Sequence, residues 1–195
     1  MKKLLITGFE PFGGEAVNPS WEAVDRLPSE INGYSLTKLR IPVLFGGAAE
    51  HVLKAADVLH PDGILCIGQA GGRSAITPEM VAINLRYGTI PDNGGYQPMD
   101  EPVLPGGASA YFSTAPVRRM VEAVKEIGLP AQVSYSAGAY VCNDVFYTLL
   151  ARFGGSQTRV GFIHVPYCTE QGKVPAMGMD DIVRGLAACI EQLDT

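Results

Sequence analysis

No apolar stretch in this chain approaches the roughly 20 residues that cross a bilayer, no two cysteines stand in C-x-x-C spacing, and no basic cluster exists. The first absence argues against a membrane-spanning protein. The second, with Cys66, Cys142, Cys168 and Cys189 scattered along the sequence, argues against a thioredoxin-like or structural zinc site. The third, with a net charge of −5 and no long run of either sign, argues against nucleic acid as a partner. The three histidines (His51, His60, His164) have no ligand spacing with one another or with the cysteines, so no metal and no cofactor is expected. G-x-G-x-x-G and Walker loops are missing too. The glycine turn Gly8-Phe9-Glu10-Pro11-Phe12-Gly13-Gly14 carries a proline and two aromatics that obstruct close phosphate approach. The opening apolar run Leu4-Leu5-Ile6 stops at Thr7-Gly8, too soon for the apolar core of a secretory leader. The expectation is a cytoplasmic protein whose thiols stay reduced.

What is present is enough apolar material for one core. At 195 residues and 47% hydrophobic, the chain reads as a single domain over 1–195. Apolar runs at Lys3–Thr7, Leu36–Ile41, Gly63–Gly68 and Val160–Pro166 predict buried strands. Val81–Leu85 and Ala131–Tyr135 alternate and predict two more. Helical spacing recurs through Trp21, Val24 and Leu27, with Asn18 as N-cap and Pro19 at the first helical position. It recurs again through Ala48–Leu59, from Pro116 to Ile127, through Val145–Arg152 and from Asp180 to Leu193. Between Ile90 and Gly107 the chain is rich in Pro, Gly, Asp and Asn with no periodicity, a loop long enough to be functional or an oligomer contact. Strands alternating with helices predict an α/β fold, a three-layer α/β/α sandwich with a mainly parallel twisted sheet. Sites in such folds form beyond the carboxyl ends of the strands.

The chemistry concentrates around Ser136-Ala137-Gly138-Ala139-Tyr140-Val141-Cys142-Asn143. A turn at Gly138 places Cys142 at or just inside a helix start, where unpaired N–H groups and the helix dipole favour a thiolate. A lone cysteine there also reads as an ordinary core residue, as Cys66 and Cys189 do, and Cys168 reads as a loop residue or a subunit-contact thiol. His164 follows one helix and one strand later, so both groups fall at the same edge of the sheet. A Cys–His pair is a nucleophile and its base, the combination acyl transfer needs. Glu79, just after the turn that follows Gly63–Gly68, either orients the imidazole or is a solvated loop carboxylate.

Taken together, Thr7–Gly14, Asn18–Glu22, Gly68–Arg73, Val81–Asn84, Ile90–Asn93, Tyr140–Asn143 and Gly161–Tyr167 resemble the type I pyroglutamyl (pyrrolidone-carboxylate) peptidases, in that family's order and spacing. The resemblance implies a cysteine omega-peptidase that removes an N-terminal pyroglutamyl residue from peptides, on an α/β/α sandwich assembled as a homotetramer. It implies Cys142 as nucleophile, His164 as base and Glu79 as orienting acid. By the same carry-over Phe9 and Phe12 flank the lactam ring, Ile90, Tyr140 and Val141 complete its apolar pocket, and the loop backbone at Gln69 hydrogen-bonds it. A neutral lactam with two apolar faces suits such walls and needs no charged anchor. Three positions depart from the family pattern: Met80 and Thr89 stand where arginines are usual, and Asp144 where histidine is common. Arg86 is the one nearby substitute for the arginine missing at 89. The departures also suit a weakened relative that binds lactam peptides without turnover. A nucleoside phosphorylase or hydrolase on a similar scaffold is suggested only by fold analogy.

Overall fold

A computed structural model describes residues 1–194. The elements run β1 (Lys2–Phe9), α1 (Pro19–Arg26), β2 (Glu30–Ile31), β3 (Tyr34–Ile41), α2 (Gly47–Leu59), β4 (Gly63–Gln69), β5 (Thr77–Pro78) and β6 (Val81–Ile83). Then come β7 (Ala110–Phe112), α3 (Val117–Glu126), α4 (Val141–Phe153), β8 (Arg159–Val165), β9 (Tyr167–Cys168), β10 (Ala176–Met177) and α5 (Met179–Ile190).

The main sheet has the order β2-β3-β1-β4-β8-β5. Its centre, β3-β1-β4-β8, is parallel, and the short edge strands β2 and β5 run antiparallel. Parallel strands are buried on both faces, and alternate residues here feed two separate cores. Leu4, Ile6, Leu65, Ile67, Ile163 and Val165 pack against α1, α3 and α5. Leu5, Ile64, Cys66, Val160 and Phe162 pack against α2 and α4. The result is the α/β/α sandwich that the alternation of elements implies.

Local chemistry sets the element ends. Asn18 caps α1, its side chain accepting from the Ser20 N–H at 3.1 Å. Ser20 Oγ in turn accepts from the Phe9 N–H at 2.9 Å, which fixes the first glycine turn over the helix start. Gly8 is required there, because a Cβ would lie 2.5 Å from the Trp21 backbone.

Several expectations are corrected. The segment 131–135 is no strand of the sheet: it makes only isolated bridges, Ile76 to Ala131 and Glu79 to Ser134. Its neighbour β5 is two residues long, too short to support a ladder. The strand at Val81 ends at Ile83 and pairs with β7 away from the main sheet, because Asn143 takes up the backbone at 83 and 85. The strand from 160 ends at Val165, before Pro166, and α5 ends at Ile190. Cys168 is buried in β9 instead of lying in a loop. The 90–107 stretch contains no helix or strand, as its composition predicts.

Candidate active site

His164 sits at the penultimate position of β8, on the face that packs against α4. Its register partners are Gly68 on β4 and Thr77 on β5. Cys142 is the second residue of α4, after Tyr140 as N-cap and the left-handed turn at Gly138 (φ +77°). Its thiol lies directly over Gly68: a Cβ there would be 2.9 Å from Sγ and equally close to the Phe162 ring. Because neighbouring strands are ~4.8 Å apart, a sulfur seated on Gly68 is adjacent to the imidazole opposite it. Glycine at 68 is what lets the Cys142 thiol come down onto the sheet.

Glu79 continues the antiparallel run of β5, its N–H donating to Phe162 C=O at 2.8 Å. Its side chain is fully buried, and Oε1 accepts from His164 Nδ1 at 2.7 Å. With Nδ1–H committed to the carboxylate, Nε2 is the nitrogen left to take a proton. Arg73, which closes the Gly-rich turn after β4, donates to the same Oε1 at 2.7 Å, to Thr77 Oγ1 at 2.6 Å and to Ser136 C=O at 3.1 Å. Burial by itself would raise the Glu79 carboxyl, but the hydrogen bond and charge of His164, with Arg73, hold it below the usual carboxylate range.

Burial adds to the electrostatics at the thiol a contribution opposed to that of the helix start. Burial pushes the Cys142 thiol well up, the negative Glu79 pushes it further, and Arg73 only partly opposes them. Desolvation and the neighbouring carboxylate thus act against the pull of the helix start on the thiol proton.

A cavity of about 420 Å³ opens over these groups. Phe9, Phe12, Val43, Tyr140 and Val141 give it apolar and aromatic walls, and Gln69, Ala70, Arg73, Ser136–Gly138, Cys142 and His164 also line it. Phe12 and Tyr140 face each other at 6.3 Å between ring centroids, and Phe45 packs edge-on to Tyr140 at 5.1 Å. The Tyr140 hydroxyl, pushed up to about 12 by burial and then by Asp92 and Cys142, donates to Pro91 C=O at 2.9 Å. Ile90 is absent from the lining: it is 42% exposed and lies by the Gly13 turn. The segment after it acts as scaffold. Asp92 accepts from the N–H groups of Phe45, Gly94 and Tyr96, and Asn93 bonds Glu10 and Pro11.

Arg86 does not stand in for the arginine missing at 89. Its Nε lies 2.5 Å from Asp144 Oδ1, beneath the first turn of α4 and away from the catalytic cavity. Asp144 is fully buried; burial raises its carboxyl, while the Gly46 N–H and Arg86 oppose that. Arg86→Met is expected to destabilise the fold by ~3–5 kcal/mol, the cost of leaving a buried charge alone. The loss should be smaller in acid, where a protonated Asp144 needs no cation. Thermal unfolding at pH 4.5 and pH 7.5 checks this.

Sequence reasoning missed Arg73, whose only signal was its place at the end of the Gly68–Gly72 turn. It also missed Asn143, which clamps Ile83 and Leu85 onto α4 through three hydrogen bonds.

Comparison with known proteins gives concordant matches. A family model described as pyroglutamyl peptidase matches residues 2–194. The pyrrolidone-carboxylate peptidase of Levilactobacillus brevis is 50% identical over 197 residues, covering 98% of this chain and 97% of that one. That of Thermococcus kodakarensis is 47% identical over 196 residues, covering 98% and 95%. The crystal structure of pyroglutamyl peptidase I from Bacillus amyloliquefaciens superposes with a TM-score of 0.95 at 44% identity, covering 100% of this chain and 96% of that one.

Proposed function

The chain belongs to the pyroglutamyl peptidase family and removes N-terminal pyroglutamate from peptides, and on that premise we propose that Cys142, His164 and Glu79 carry the reaction. The observation behind this is the buried His164–Glu79 hydrogen bond beneath a cavity that Cys142 also faces. The lactam ring lies against Phe9, Phe12, Tyr140 and Val141, with backbone at Gln69 as a hydrogen-bonding partner. Cys142 Sγ attacks the carbonyl between pyroglutamate and the next residue as His164 Nε2 takes the thiol proton. Glu79 holds the ring and stabilises the imidazolium that forms.

The backbone N–H of Cys142 is among those that a helix start leaves without an intrahelical partner, and it is our choice for the oxyanion donor. His164 then returns its proton to the leaving amine as the C–N bond breaks. Water attacks the thioester with His164 as base, and free pyroglutamate leaves. Arg73 anchors the carboxylate of Glu79, so the cation the site uses comes from the β4 turn and not from position 89, which is exposed and outside the cavity.

Release of aminocoumarin from a pyroglutamyl-aminocoumarin substrate tests the assignment. Wild-type protein should release it and Cys142→Ser should not; full release by the variant overturns it.

The whole chain is read as one catalytic domain. Its four free thiols suit the reducing cytoplasm. Homotetramer assembly is proposed from the family likeness, with exposed Met99, Leu104 and Phe112 as apolar surface for contact; light scattering checks it.

A further inference from the structure

Glu79 meets its neighbours through one oxygen. Oε1 accepts from His164 Nδ1 and from Arg73 Nη1, each at 2.7 Å. Oε2 is buried and accepts no hydrogen bond from the described residues. A buried carboxylate oxygen is ordinarily bonded, because a desolvated charged acceptor without a donor is costly. A carboxylate gripped at one oxygen is also free to turn, and the imidazole of His164 takes its orientation from it.

The backbone sets Ser134 beside this carboxylate. Met80 N–H donates to Ser134 C=O at 2.7 Å, and Ser134 N–H donates to Pro78 C=O at 3.0 Å. These two bonds bracket Glu79 and make it the parallel bridge partner of Ser134. Such partners lie ~4.8 Å apart across the strands and send their side chains to the same face. The Ser134 hydroxyl donates to Ser136 C=O at 3.2 Å and accepts from Ser136 N–H at 3.4 Å. The donated bond is dispensable, because Arg73 also donates to Ser136 C=O, at 3.1 Å. Burial works to raise the Glu79 carboxyl, while His164, then the Ser134 hydroxyl and Arg73, hold it down. The hydroxyl is thus near the carboxylate, and its proton can leave the carbonyl without orphaning it.

We propose that Ser134 is a positioning residue for the reaction: its hydroxyl turns from Ser136 C=O to Glu79 Oε2, so that both carboxylate oxygens are held while His164 carries the thiol proton. Ser134 does not line the catalytic cavity, so it acts through Glu79 and has no direct route to the substrate. Its donor stabilises the ionised carboxylate opposite the imidazolium and fixes the plane in which the ring is held.

The experiment measures turnover of pyroglutamyl-aminocoumarin by the full chain in a double-variant cycle. Ser134→Ala should lower kcat about tenfold, the scale of one charge-assisted hydrogen bond, and leave KM nearly unchanged. Ser134→Thr keeps the hydroxyl and should recover most of the rate. In a Glu79→Gln background the same Ser134→Ala change should cost less than about twofold, since the charge it serves is gone. Stability supplies a second readout. The charged and titratable groups facing Glu79 are His164 from β8, Arg73 from the turn after β4 and Cys142 from α4, and Ser134→Ala leaves all three in place. The gap in melting temperature between wild type and Ser134→Ala should therefore be open at pH 7 and narrow toward pH 3, as Glu79 takes up its proton. An undiminished kcat, equal losses in both backgrounds, or a gap that does not narrow overturns the role of Ser134. Normal turnover by Glu79→Gln overturns instead the catalytic reading on which this proposal rests.

Discussion

Cys142→Ala is expected to lower kcat by roughly a million-fold, the scale for removing a nucleophile that acts as one unit with its base. Binding of a pyroglutamyl peptide should survive, since the lactam walls are untouched. Stability should hardly change, because the site of the lost sulfur opens to the cavity. The informative comparison is the double variant Cys142→Ala with His164→Ala. If the two act as a unit, it is no worse than either single change. Multiplying defects would mean that His164 serves some step independent of the thiol. Single-turnover kinetics with calorimetric binding separates these outcomes.

Glu79→Gln is expected to lower kcat/KM by about ten-thousand-fold, as when a buried carboxylate that holds a catalytic histidine loses its charge. Here the loss has two parts. The imidazole loses the partner that fixes its tautomer and stabilises its protonated form. Arg73 loses the anion that draws it to the floor of the cavity. The stability cost follows from the same contacts. Because the folded carboxyl is held below its ordinary value of 4.5, its contribution is full above that value and is lost as pH falls through the lower, folded one. The wild type should therefore lose stability in acid across that window, and Glu79→Gln should flatten this part of the profile. Calorimetric melting from pH 3 to pH 7 reads it; parallel profiles would mean that the carboxylate is not held as described.

The architecture was legible because buried parallel strands write themselves as apolar runs. Gly63–Gly68 and Val160–Val165 are unmistakable in the sequence, and Asn18-Pro19 announces its helix start. The Cys–His pair was legible for a topological reason: one helix and one strand return the chain to the same edge of the sheet. Glu79 was ambiguous, because sequence does not reveal that the turn before it folds back along β8 and buries it. At Cys142 the helix start is visible in sequence, whereas the burial that opposes it is a property of the folded sheet. The roles of Arg73 and Arg86 were hidden for a related reason. Spacing gives the face a residue occupies but not its partner, and the partners turned out to be Glu79 for one and Asp144 for the other.

A thiol that burial pushes up, as it does Cys142, also has a chemical temperament. Oxidants and alkylating agents seek thiolates that are exposed, so small reagents such as peroxide or iodoacetamide should find this enzyme sluggish. An electrophile carried on a lactam ring brings its reactive atom to the base-assisted sulfur and escapes that protection. Covalent inhibitors of this chain therefore gain more from fitting the ring than from raising the intrinsic reactivity of the warhead.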